Sequence, residues 1–242
     1  MTSKGKATKG GGQFEFYMDL LSHDILNSHQ AVLSYLELII ANPSVDKKNR
    51  VLAEKAIGHI RGSTLLIENI KKIVGSRGED FKALKPVDLV KNIERAQVDL
   101  QRFYPGKRIR IDHKQLPRVA MVYGGNYVDD LVLNVLVSAI RLNQGDDIRL
   151  SFAVEEGVFA GDPAWIIRVE DPDSQLPPFL NGQGVAATYA QDSSLAVKSS
   201  GLLSSKMIAT NLGGDFDAHA ITREPKRKGA VFTITLRRAD KP

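Results

Sequence analysis

Residues 14–41, FEFYMDLLSHDILNSHQAVLSYLELIIA, carry apolar side chains on a seven-residue repeat. One seam position holds Met18, Ile25, Val32 and Ile39; the other holds Phe14, Leu21, Ser28 and Tyr35. That repeat is the period of an α-helix packed along a continuous seam. Leu26, Leu33, Leu36 and Ile40 widen the stripe, as a helix inside a bundle requires. Asn42-Pro43-Ser44 ends the run, because proline disfavours the α conformation in the residue before it. A second helical run extends from about Asp46 to Val74 and stops at Gly75-Ser76-Arg77-Gly78. Two helices of near-equal length on a short connection predict an antiparallel hairpin. A lone hairpin cannot enclose such a stripe. A second copy would, so the expectation is a homodimer built on a four-helix bundle.

Working outward, residues 1–12 are rich in Lys, Gly, Ser and Thr and read as a flexible tail, ahead of a hairpin over 13–76. Residues 79–239 read as a second, α/β domain. Phe81–Leu84 is expected to be a short strand, and Val87–Phe103 an amphipathic helix opened by Pro86. Lys107–Asp112, Val119–Val122, Ile148–Val154, Trp165–Val169 and Ala230–Leu236 read as strands, and Tyr127–Leu142 and Leu202–Leu212 as helices. Residues 171–198 read as irregular. One mixed sheet with helices over one face accommodates this order.

The bulk composition excludes several classes. The chain of 242 residues has no cysteine, so it has neither a disulfide framework nor a thiolate metal site. No run of about 18 apolar residues is present, and no apolar segment long enough for a secretory signal follows the basic N-terminus, so the expectation is a soluble, cytoplasmic protein without a membrane span. Part of the net charge of +5 sits at Lys4, Lys6 and Lys9 and part in the Arg223–Lys228 stretch. Basic residues do not interleave with aromatics, and no nucleic-acid motif occurs, which speaks against a nucleic-acid partner.

With Met18 and Leu21 taken as core positions, His23 falls on the opposite, solvent-facing side of the helix. Asp24 lies beside it and can orient the imidazole; Asn27 is one turn on, on the same face. The segment Met18–Asn27 resembles the H-box of sensor histidine kinases, and Ser34-Tyr35-Leu36-Glu37-Leu38 resembles the archaeal branch of that family. The resemblance implies that His23 accepts a phosphoryl group, with the acid and amide of the D-x-x-N spacing, Asp24 and Asn27, serving phosphotransfer and water positioning.

The resemblance continues through the second domain. Leu131–Ile140 is similar to the N-box, where the family sets two asparagines one turn apart against Mg²⁺ and the triphosphate. Asn134 matches the first; Ser138 stands in place of the second. Val169–Pro177 is similar to the first glycine box: Asp171 matches the aspartate that binds the adenine amino group, while Asp173 and Gln175 replace its two glycines. Ser199–Lys206 is similar to the second glycine box, in which Gly201 matches one glycine and Ser199 replaces the other. The implied architecture is a dimeric helical hairpin followed by an α/β two-layer sandwich of histidine-kinase ATPase type. Its nucleotide site at Asn134, Asp171 and Gly201 would be vestigial.

Three functions compete. The leading expectation is a phosphorelay protein that moves phosphoryl groups between His23 and the aspartate of a response-regulator receiver domain. Like dedicated histidine phosphotransferases, it would need no cofactor and no metal of its own. The alternative is a divergent ATP-dependent sensor histidine kinase, which would require ATP and Mg²⁺. A third reading is a non-catalytic module that binds a receiver through its bundle.

Overall fold

The computed structural model describes residues 9–75, 84–104, 106–143, 145–174, 176, 193–223 and 227–239. The chain divides into two units, 1–78 and 79–242. Among the described residues no helix is long and apolar enough to cross a membrane.

The first unit is a helical hairpin of α1 (Lys9–Ala41) and α2 (Lys47–Gly75). Helix α1 takes in Lys9–Gly12, which the sequence alone assigns to a flexible tail. The turn is shaped by Asn42, whose side-chain oxygen accepts the Ser44 N–H at 2.9 Å. Asp46 then caps α2, accepting the Asn49 N–H at 2.9 Å, and this bond holds the Asp46 carboxyl below its usual range. Across the hairpin, Lys71 pairs with Asp19 at 3.1 Å and Arg61 with Glu37 at 3.2 Å, while the Arg50 guanidinium donates to the Ile40 carbonyl.

Within one chain, the face that α1 turns inward differs from the seam expected to close on a second copy. Ser22, Leu26, His29, Leu33, Leu36 and Ile40, spaced alternately by four and three, are the less exposed face of α1. Leu21, Ile25, Val32, Tyr35 and Ile39 remain 58, 42, 41, 67 and 43% exposed. Leu21 is therefore not a core position within one chain. A period of seven describes two neighbouring stripes equally well, and the residues read as widening the seam are those turned inward. The side chain of Phe14 lies outside the described residues.

The second unit runs β1 (Pro86–Asp88), α3 (Leu89–Phe103), β2 (Arg108–Gln115), β3 (Met121–Tyr123), α4 (Asn126–Leu142), β4 (Asp147–Phe159), β5 (Asp162–Asp171), α5 (Ser193–Asn211), β6 (Asp215–Arg223) and β7 (Arg227–Arg237). Five strands form one sheet in the order β2-β4-β5-β7-β6, with β2 parallel to β4 and the remaining pairs antiparallel; β1 and β3 form a separate antiparallel pair. Burial alternates along the strands. Ile148, Leu150, Phe152, Val154, Ile167, Phe216, Phe232 and Ile234 line the covered face, and the intervening positions are more open. Leu131, Val135 and Leu136 of α4 complete this core, with Leu89, Ile93 and Leu100 of α3.

Three expectations change here. Pro86 opens a strand rather than a helix: it pairs with Tyr123, and the helix begins after Asp88, whose carboxylate accepts the Val90 N–H at 3.2 Å. Helix α5 starts at Ser193, nine residues before Leu202, within the stretch read as irregular; residues 177–192 lie outside the described residues. Strand β6 was not expected at all. The expected strand at 81–84 falls outside the described residues except for Leu84, which is a bend. Helix α5 ends at Asn211 and is closed by Gly213, at φ +68°, after which the Gly214 N–H reaches back to the Ala209 carbonyl at 2.9 Å.

Candidate functional site

In the hairpin, the residue types that could carry chemistry meet on one exposed turn of α1. The His23 side chain is 69% exposed and that of Asp24 72%, with Nδ1 of the imidazole 3.3 Å from Asp24 Oδ1. One helical turn on, Asn27 Nδ2 lies 3.2 Å from His23 Nδ1 and 3.4 Å from Nε2. The three sequence-predicted residues of this group thus stand together. His29 behaves differently: it is half-buried, with Nδ1 3.0 Å from Thr64 Oγ1 and Nε2 3.4 Å from Ser63 Oγ. Both of its ring nitrogens serve the hairpin, whereas His23 is open to a partner.

In the α/β unit, Asn134 and Asp171 are buried, and they and Gly201 are engaged with their own chain. Asn134 lies on α4, where its side-chain amide donates to the Gly201 carbonyl at 2.7 Å and to Ser205 Oγ at 2.8 Å, both on α5. Ser205 Oγ in turn donates to the Gly201 carbonyl at 2.9 Å. Ser138, one turn after Asn134, donates its hydroxyl to the Asn134 carbonyl at 2.8 Å. A Cβ built on Gly201 would press on Ser138 Oγ, so the hydroxyl or the helices would have to shift for a side chain to fit where α5 crosses α4.

Asp171, at the end of β5, is fully buried. Its carboxylate accepts from the Asn143 amide at 3.0 and 2.9 Å, from the Ser174 hydroxyl at 3.0 Å, and from the backbone N–H groups of Asp173 and Ser174 at 2.9 and 3.2 Å. The side-chain oxygen of Asn143 is also used, accepting the Gly145 N–H at 2.8 Å. A buried carboxylate needs such a shell of donors. As placed, both amide hydrogens of Asn134 and the carboxylate of Asp171 point into the protein. This arrangement does not fit the nucleotide contacts that the resemblance assigns to them.

Asn143, Ser174 and Ser205 were not singled out in the sequence. Asn143 follows α4 as its cap residue, and Ser174 falls inside the glycine-box segment, so position alone was a weak signal for both. Gln175 and the side chain of Ser199 lie outside the described residues.

No family model and no curated protein sequence matches this chain. Solved structures do. The mycobacterial sensor histidine kinase MprB is 16% identical over 66% of this chain and 100% of that one, with a TM-score of 0.48. The Acinetobacter baumannii histidine kinase AdeS is 12% identical over 89% of this chain and 98% of that one, at 0.44. Full-length ShkA, solved in complex with AMPPNP, is 15% identical and covers 93% of this chain at a TM-score of 0.50. This chain spans 46% of the length of ShkA. At that identity the likeness is one of fold: a helical hairpin followed by an α/β sheet unit, shared with ShkA along nearly the whole chain.

Proposed function

We propose that this protein is a two-component phosphotransfer protein, in which His23 exchanges a phosphoryl group with the aspartate of a receiver domain. The α/β unit takes no part through nucleotide. The observation that carries this reading is the contrast between the two sets of residues. His23, Asp24 and Asn27 are clustered and exposed, while Asn134 and Asp171 are spent on hydrogen bonds within the chain. A receiver brings its own acidic site for a divalent cation, so the histidine donor needs only an accessible imidazole in a fixed orientation. Exposed Leu21, Ile25, Val32, Tyr35 and Ile39 support a homodimer closed through the hairpin.

The runner-up is an ATP-dependent kinase, favoured by the shared fold with ShkA, whose structure holds AMPPNP. One experiment separates the two: incubation with a pre-phosphorylated receiver in the absence of nucleotide. Acid-labile phosphate on His23 is the expected result. Autophosphorylation from Mg-ATP, with no label from the receiver, would put the kinase in its place.

A further inference from the structure

Strand β2 is one edge of the five-stranded sheet and pairs with β4 alone. The Arg108 N–H donates to the Asp146 carbonyl at 2.8 Å, so Arg108 turns its backbone toward β4. Backbone direction alternates along a strand, which leaves the N–H and C=O groups of Ile109 and Ile111 facing the open edge. The side chains of these two share the helix-covered face with their register partners Ile148 and Leu150, yet they are only half-buried. Arg108 and Arg110 are exposed on the other face. Arg110 stands opposite Arg149 of β4, which is exposed as well. Among the described residues neither arginine has a hydrogen bond or an ion pair, whereas Arg108 meets Asp147 at 3.7 Å and Lys114 meets Glu170 at 2.9 Å. Like charges directly opposite one another destabilise a sheet. Charge on an edge also deters indiscriminate pairing. Lys114 and the register shift between His113 and Gln115 already serve that end, and it does not explain a second arginine behind the first.

We propose that the Arg108–Ile111 edge of β2 docks an extended acidic segment of another protein, which adds to the sheet as a further strand. The backbone of that segment takes the outward N–H and C=O groups of Ile109 and Ile111, the mode by which an open sheet edge captures a peptide. Its acidic side chains lie on the open face against Arg110. Arg149, behind Arg110, opposes any turn of that guanidinium inward over β4, so the countercharge comes from the edge. Apolar side chains at the alternate positions cover Ile109 and Ile111. The pattern recognised is therefore one of alternating acidic and apolar residues. A second copy of β2 does not fit, because it would set Arg108 and Arg110 against their own kind. The opposite edge, β6, carries Asp215 and Asp217, but Lys206 and His219 engage these within the chain. Docking at β2 does not depend on phosphotransfer at His23.

Amide hydrogen exchange of the full chain, followed by NMR, tests the edge with a short synthetic peptide that alternates glutamate and valine. At millimolar peptide, exchange of the Ile109 and Ile111 amides is expected to slow by roughly two- to tenfold, the range that one net hydrogen bond commands. The Arg108 amide, already bonded to Asp146, is the internal reference and reports that the sheet stays intact in each variant. Arg110→Glu should abolish the slowing. Arg118→Glu, which changes the net charge equally at an exposed position outside β2, should leave it in place. The same peptide with lysine for glutamate should have no effect. Absence of slowing in the parent overturns the proposal, as does slowing that survives Arg110→Glu or that the lysine peptide reproduces. So does protection of both amides in the peptide-free chain that grows with protein concentration, which would put a second copy on the edge.

Discussion

Gly201 on α5 passes so close to Ser138 on α4 that a Cβ on the glycine would lie 2.3 Å from the serine hydroxyl oxygen. This gives the glycine a packing reason to exist, separate from any phosphate. The two reasons predict opposite signs for Gly201→Ala. If the residue were only a relic of a phosphate loop inside a helix, alanine would stabilise by about 0.8–1 kcal/mol through propensity. With the crossing as observed, overpacking of about 1–3 kcal/mol outweighs that gain, and a net loss of about 1 kcal/mol is expected in urea unfolding. Adding Ser138→Ala should remove the loss, because the two sites share one contact. By the same argument Ser138→Asn, which restores the family's residue, should destabilise rather than recover nucleotide binding.

Asp171 offers a second test of the same region. Removing its carboxylate as Asp171→Ala takes the acceptor from the buried Asn143 amide and from the Asp173 and Ser174 N–H groups, while the Ser174 hydroxyl can still donate to the Ala139 carbonyl at 3.2 Å. A loss of about 2–4 kcal/mol is expected from chemical denaturation. Calorimetric titration with Mg-ATP should give no binding signal for the parent at sub-millimolar nucleotide. A clear isotherm would show that the Asn143–Asp171 pair opens to admit adenine.

The sequence made the large periodic elements legible and hid the places where local rules compete. Helix α4 reads easily because its apolar residues are nearly continuous from Val128 to Ile140. Strand β6 does not, since Asp215-Phe216-Asp217-Ala218-His219-Ala220 alternates with small and acidic residues of low strand propensity; it is an edge strand held by pairing to β7. In α1 the apolar pattern shows a wide stripe but not which half meets α2. That division follows from cross-hairpin contacts such as His29 with Thr64, 35 positions away. The His23 group was legible because all its members sit within one turn. The shells of Asn134 and Asp171 were not, because their partners come from distant segments.

The outward stripe of α1 sets a prediction about assembly. Ile25, Val32 and Ile39 are about two-fifths exposed, so leaving them in water forfeits roughly 0.6–1.3 kcal/mol for each that a partner could bury. Light scattering at low micromolar concentration should report a dimer. Ile25→Lys with Val32→Lys should shift it to monomer while leaving the α/β unit folded, and a parent chain that is already monomeric would dispose of the bundle.

Tyr104 carries a pH dependence whose sign is fixed. Burial pushes its phenol up to about 12, with a smaller opposing effect from Arg141, and its hydroxyl has no hydrogen-bond partner among the described residues. Unfolded tyrosine ionises near 10. Between these values the unfolded chain binds fewer protons than the folded one, so stability falls as pH rises through that window and is unaffected below it. The loss is on the order of 2 kcal/mol. Tyr104→Phe should abolish this component and, having removed an unpaired buried hydroxyl, cost little at neutral pH. Unfolding midpoints measured from pH 8 to pH 12 for both chains decide it.

The final prediction concerns His23 as the acceptor. Incubation with a phosphorylated receiver should place acid-labile phosphate on His23, and His23→Ala should abolish the label. That substitution should shift stability by no more than about 0.5 kcal/mol, because the side chain is 69% exposed and its bonds to Asp24 and Asn27 lie in solvent. Asp24→Asn should slow transfer in both directions, since it removes the charge that holds the Nδ1 proton and steadies the cationic ring after transfer. An inert receiver-binding scaffold predicts something else: no label on any variant, and partner affinity unchanged by His23→Ala. The remaining histidines supply the strictest control. His29 is tied to Thr64 and Ser63, His113 lies 2.7 Å from the Gln97 amide, and His219 lies 3.2 Å from Asp217. None of them has both an acid neighbour on one ring nitrogen and an amide one helical turn away. Label found on His29, His59, His113 or His219 instead of His23 would therefore refute the assignment even if phosphotransfer itself took place.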